Sequence, residues 1–139
     1  GDARILIMGM GRTGRAAYDY LAQKGFRLIS LDSDPVMVEK NTQEGRKILF
    51  ADAEDQMFWQ SLEMNQVEAV ILAMNDPEAK IISTRKLRES GFRGLVVSHA
   101  MYEDIAQRIQ QAGADRTYLT MSEAGAGLAE NVARELESR

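Results

Sequence analysis

The chain has 139 residues, 45% apolar and 27% charged, which suits one globular domain able to bury a core without covalent staples. It holds no cysteine, excluding disulfides, thiolate catalysis and cysteine-ligated metals. Its net charge is −4 and no basic run exceeds two residues, so the basic face that a nucleic-acid partner needs is missing. Apolar stretches such as Val67–Met74 are too short to span a bilayer, and no signal-peptide pattern is read at the start.

The first strand is predicted over Arg4–Met8, where Ile-Leu-Ile-Met runs into Gly9-Met10-Gly11-Arg12-Thr13-Gly14 and then a helix over Thr13–Lys24. This is a G-x-G-x-x-G junction in its required strand-to-helix context. Gly9 permits the sharp turn, Gly11 lets backbone approach a pyrophosphate, and Gly14 lets the helix pack on the sheet. The helix start offers unpaired N–H groups and the positive end of the macrodipole to an anion. A second strand, Arg27–Leu31, delivers Asp32 18 residues after Gly14. That is the place of an acid accepting from ribose hydroxyls, or else a plain strand-end residue. An acid here disfavours a 2′-phosphate, so NAD-type or AMP-type ligands are expected rather than NADP.

Asp34-Pro35 reads as an N-cap with proline at N1, opening a helix over Pro35–Glu44. A third strand, Lys47–Phe50, leads into Ala51-Asp52-Ala53. A short helix over Glu54–Leu62 follows, carrying Met57, Phe58 and Trp59, the two aromatics read as core packing rather than a binding platform. Asp52 either accepts from an adenine amino group or caps that helix. The fourth strand is Ala69–Ala73, then Asp76-Pro77 caps a helix over Pro77–Ser90. Gly94–Ser98 is the fifth strand, followed by His99, a helix over Met101–Ala112 and a sixth strand over Arg116–Leu119. Thr120-Met-Ser-Glu123 fits a capping box opening a last helix toward Ser138. Gly125 and Gly127 fall inside that helix and are read as close-packing positions without a phosphate role.

The first, fourth and fifth strands are almost wholly apolar, which implies burial on both faces, hence a parallel sheet between helices. The alternation predicts an α/β, three-layer doubly wound Rossmann fold. Its sheet has about six strands in order 3-2-1-4-5-6, forming a single domain over residues 1–139. Ligands of such sheets lie beyond the carboxyl ends of the strands, at the switch point between strands 1 and 4. The candidate site therefore takes Gly9, Met10, Gly11, Arg12, Thr13 and Gly14 from the first unit. Asp32 and Ser33 follow strand 2, Asp52 and Ala53 follow strand 3, and Ala73, Met74 and Asn75 follow strand 4, Ala73 and Met74 as an apolar shelf. Arg12 pairs with a phosphate or lies exposed on the first turn. His99 is read as a hydrogen-bonded loop histidine rather than a catalytic one. Metal-ligand spacings such as HExxH are absent.

The order of Met8-Gly-Met-Gly-Arg-Thr-Gly14, Leu31-Asp32, Ala51-Asp-Ala53, Ile71-Leu-Ala-Met74 and Gln111-Ala-Gly-Ala-Asp115 resembles TrkA-N domains, also called RCK or KTN domains. The resemblance covers about Ala3 to Val132. Glu44-Gly-Arg46, Phe58-Trp59 and Ser122-Glu-Ala-Gly125 make it most like the cytoplasmic domain of Kef-type potassium efflux systems. It implies AMP or NAD(H), with ATP possible, held by Gly9, Gly11, Arg12, Asp32 and Asp52. It also implies a homodimer, commonly through late helices, and a regulatory role without catalysis beside a membrane transporter domain at the inner face of the membrane. Two departures stand out. Ala51 replaces the family's usual glycine, and Val97–Tyr102 lacks the arginines carried by Kef domains that sense glutathione.

The function expected is thus a nucleotide-binding regulatory module. The alternative is an NAD-dependent oxidoreductase fragment, which needs a substrate domain and an acid–base group near the nicotinamide; neither is read after the sixth strand. A third reading, an interaction domain with a vestigial site, sits poorly with the intact glycine triad and Asp32.

Overall fold

The alternating apolar runs and capped helices fold as six strands and six α-helices among the described residues, which in the computed structural model are 4–52, 55–61 and 64–139. The strands are β1 (Ile5–Met8), β2 (Leu28–Asp32), β3 (Ile48–Phe50), β4 (Ala69–Leu72), β5 (Leu95–Ala100) and β6 (Arg116–Leu119). The helices are α1 (Arg12–Gln23), α2 (Pro35–Gln43), α3 (Gln56–Ser61), α4 (Pro77–Glu89), α5 (Glu103–Gln111) and α6 (Thr120–Glu137). All pairings are parallel and the sheet order is β3-β2-β1-β4-β5-β6, as the alternation predicts. The register sets Met8 beside Leu31 and Leu72, so β1, β2 and β4 end level at the switch point.

Two cores flank the sheet. On one face Leu6, Met8, Val70, Leu72 and Val96 pack against Trp59 of α3, Ile81 and Leu87 of α4, and Ala106 and Ile109 of α5. On the other, Ile5, Ile7, Met10, Leu28 and Ala73 pack against Ala17, Tyr18 and Leu21 of α1. Burying each large apolar side chain contributes about 1.5–3 kcal/mol, so both faces of β1 hold it in place. No helix among the described residues is long and apolar enough to cross a membrane.

Asp34 and Asp76 cap α2 and α4 as expected, accepting from the amides of Val36 and Glu78 with proline at N1. Other expectations are corrected. The capping box at Thr120 does not form: α6 follows β6 without a break, its N-cap is Leu119, and the Thr120 hydroxyl is engaged elsewhere. Of the aromatics of α3, Trp59 is buried in the core and Phe58 packs against it, as read, while Met57 beside them is exposed. His99 lies within β5 rather than in a loop, since the strand continues through Ala100 to pair with Leu119. The ends of the predicted third helix, Glu54 and Leu62, lie outside the described residues, as does Ala53.

Candidate functional site

Beyond the carboxyl ends of β1, β2 and β4 opens a cleft of about 570 Å³. Its lining includes Gly9, Gly11, Arg12, Thr13, Asp32, Ser33, Asp52, Ala73, Met74 and Asn75, ten of the predicted residues. Met10 and Gly14 stand behind the lining. The Met10 side chain is fully buried in the α1-side core, and Gly14 is buried under the turn. Ala53 lies outside the described residues.

The three glycines separate by what a Cβ would meet. Gly9 has φ +92, and a Cβ there would stand 2.6 Å from the Met74 nitrogen. At Gly14 a Cβ would stand 1.8 Å from the Gly9 carbonyl oxygen. Both are required by the packing of the turn itself. Gly11 differs: it is the N-cap of α1 with φ −75, and a Cβ there would meet nothing within 4 Å. Its lack of a side chain leaves open space at the start of a 12-residue helix, where the first N–H groups and the macrodipole favour an anion.

Asp32 has a structural task as well. One carboxylate oxygen accepts from the Met10 amide at 2.8 Å and the other from the Asp34 amide at 2.9 Å. The acid therefore fixes both the glycine turn and the entry to α2, while a carboxylate still has lone pairs for a further donor.

Residues not anticipated complete the walls: Asp34 and Met37 from the start of α2, and Asp76, Ala79, Ile82 and Ser83 from α4. The Ser83 hydroxyl is buried without a hydrogen-bond partner among the described residues. Among the described residues the charged lining is Asp32, Asp34, Asp52 and Asp76 against the single guanidinium of Arg12. An anion entering the cleft meets mostly like charge, so the backbone dipoles at the head of α1 and Arg12 are its attraction there.

His99 does not line the cleft but touches its wall from behind, through Ala73. Its Nε2 lies 3.4 Å from the Ala73 carbonyl oxygen and its Nδ1 2.8 Å from the Thr120 hydroxyl. A carbonyl only accepts, so Nε2 carries the proton and Thr120 donates to Nδ1. Burial, and then the neighbouring Lys80 charge, hold His99 below the ordinary histidine value. Lys80, itself depressed by burial, donates to the His99 carbonyl at 2.6 Å.

Comparison with known proteins places these features in a family. Residues 5–120 match the TrkA-N domain model. The chain is 27% identical over 113 residues to the glutathione-regulated potassium-efflux system protein KefC of Escherichia coli, covering 81% of this chain and 18% of that relative. The chain thus spans under a fifth of the length of the curated relatives it matches. Among solved structures, the NAD(P)-binding domain of an exopolyphosphatase-related protein from Archaeoglobus fulgidus superposes with a TM-score of 0.84 at 19% identity, covering 95% of this chain and 98% of that one. The Kef CTD of Shewanella denitrificans in its AMP-bound form gives a TM-score of 0.75 at 17% identity, covering 96% and 80%. At these identities the structural likeness establishes the fold.

Proposed function

The chain belongs to the TrkA-N domain family, and from that membership we propose that residues 1–139 form one adenine-nucleotide-binding regulatory domain of a potassium efflux or transport system, without catalysis of its own. The observation that carries the reading is the open space at Gly11, at the head of α1 and inside the switch-point cleft. The phosphate is held by the amides of the first turn of α1 with Arg12. The ribose lies against Asp32 and Ser33, the adenine toward Asp52, with Ala73 and Met74 as the apolar shelf. The excess of carboxylates favours AMP or NAD(H) over ATP, whose triphosphate meets more like charge. The AMP-bound Kef relative and the NAD(P)-binding relative support both ligand classes.

The domain works as a homodimer at the cytoplasmic face of the membrane, beside a transporter domain on the same or a separate chain. Its α6 contains no buried residue and carries Met121, Leu128, Val132 and Leu136 along one face, each at least 58% exposed. Such a stripe suits a second copy of the same helix in a self-complementary interface. Contacts from Ala73 through His99 to Thr120 give cleft occupancy a route to the first turn of α6. A ligand shifts the dimer only as far as its affinity differs between arrangements.

Calorimetric titration with AMP, NAD⁺, NADH and ATP tests the binding half. Saturable one-site binding, with AMP or NAD(H) tighter than ATP, is expected. Absence of heat with all four nucleotides overturns the reading.

A further inference from the structure

We infer that Asn41 is a positioning residue for the phosphate-binding turn, an inference that rests on the nucleotide reading above. Asn41 is far from the glycine motif in sequence and does not line the cleft, yet its Nδ2 donates to the Met10 carbonyl at 3.1 Å. The Met10 amide is taken by Asp32 at 2.8 Å. The peptide groups on both sides of Met10 are thereby clamped between Gly9 and Gly11, and the buried Met10 side chain pins the residue a third way.

The asparagine is itself locked. Its side chain is fully buried; Nδ2 also donates to the Met37 carbonyl at 2.7 Å, and Oδ1 accepts from Arg46 Nη1 at 3.0 Å. A guanidinium only donates, so the amide has one possible orientation. Arg46 is fixed in turn by two parallel bonds to Asp19 of α1, at 2.9 Å each, and by an ion pair with Glu44. Bidentate pairing of this kind sets geometry as well as energy. The chain of contacts Asp19–Arg46–Asn41–Met10 starts on α1 and returns to the turn that leads into it. Tilting α1 or swinging the turn breaks one of these bonds.

Packing alone does not call for this residue. Asparagine is a poorer helix former than leucine or alanine, and a buried amide is tolerated only when its hydrogen bonds are made. What Asn41 supplies and an apolar residue cannot is a donor aimed at the Met10 carbonyl. A preformed turn spares the ordering cost when an anion binds.

The test compares AMP with adenosine, which shares the base and sugar but has no phosphate. Wild type and Asn41→Asp are titrated calorimetrically with both. The aspartate keeps the size and the bond to Arg46 but cannot donate to Met10. The preference for AMP over adenosine is expected to fall about tenfold, the equivalent of one hydrogen bond, while adenosine affinity stays at the wild-type value. Arg46→Met, which frees the amide to rotate, is expected to move the ratio the same way and serves if the aspartate variant fails to fold. Ile109→Val, a core change on the opposite face, is expected to lower stability without altering the ratio. Wild-type preference for AMP retained in Asn41→Asp and Arg46→Met overturns the inference and leaves the nucleotide reading intact. Failure of wild type to bind either compound overturns the reading itself.

Discussion

Gly11→Asp separates ligand binding from folding, because the two respond in opposite directions. In the ligand-free chain the new side chain enters open space, with nothing within 4 Å of its Cβ, and the backbone at φ −75 suits any residue. Aspartate is a better N-cap than glycine by a few tenths of a kcal/mol, and its charge faces the positive end of α1, a further ~0.3–1 kcal/mol. The melting temperature should hold or rise by about 1–4 °C. A phosphate at that helix start would then face a carboxylate roughly 5 Å away, a repulsion of about 3 kcal/mol at an effective dielectric of 20. AMP affinity should fall on the order of a hundredfold. Gly14→Ala gives the contrast: its Cβ would stand 1.8 Å from the Gly9 oxygen, where such atoms normally keep about 3.3 Å. Overpacking of this kind costs about 1–3 kcal/mol or more, exceeding the ~1 kcal/mol that alanine gains over glycine in a helix. Thermal unfolding and calorimetry measure both variants. Wild-type AMP affinity in Gly11→Asp refutes the placement of the phosphate, and an unchanged melting temperature in Gly14→Ala refutes the packing of the turn.

Arg88 donates to the carbonyls of Gly113, Phe92 and Gly94 and pairs with Asp115, which also accepts from the Val96 amide. Arg88→Met should therefore cost about 2–4 kcal/mol in chemical denaturation, with AMP affinity unchanged in calorimetry. Burial depresses the His99 pKa, so the folded chain resists a proton that the unfolded chain accepts. Its contribution to stability is present above about pH 6.5 and is lost as pH falls from there toward the lowered folded value. Melting temperature should drop across that window in wild type, and His99→Gln should flatten the slope. Leu128→Arg with Val132→Glu should convert a dimer into a monomer by sedimentation velocity, and an unchanged sedimentation coefficient would remove α6 from the interface.

The centre of the sheet was legible because strands such as β1 and β4 are short apolar runs. Ile5–Met8 and Ala69–Leu72 pair side by side as their composition implies. Helix starts were legible where a side chain does the capping, as at Asp34 and Asp76. At Thr120 the same cue misled, because His99 takes the hydroxyl, and that partner is set by the pairing of β5 with β6. The α4 side of the cleft was not read: Ala79, Ile82 and Ser83 reach it only through the crossover geometry, and no local pattern marks them. Asn41 and Arg88 escaped for a related reason. Their chief partners are backbone carbonyls, which every residue type supplies, so nothing in the partner's sequence announces the contact. The Ala-Gly-Ala-Asp115 segment served as a family sign, and the fold gives it a physical basis. A Cβ at Gly113 would come within 2.7 Å of Arg88 Cγ, and Asp115 holds the same arginine.

Asp32 shows how a position can be legible while its own backbone contacts are not. Spacing from Gly14 picks it out as a ribose acceptor, and it does line the cleft. Yet both carboxylate oxygens already accept backbone amides, one in the glycine turn and one at the start of α2. Removing the carboxylate would release the Met10 amide as well as any sugar, so a lost response to nucleotide in Asp32→Ala would not tell the two apart. The ambiguity is physical: an acid at the end of β2 is close enough to the turn to hold it, and holding the turn is what keeps the acid facing the cleft. Gly11 carries no such double duty, having no side chain and no neighbour to lose. Evidence for a phosphate at the head of α1 is therefore stronger from an added group at Gly11 than from a deleted one at Asp32.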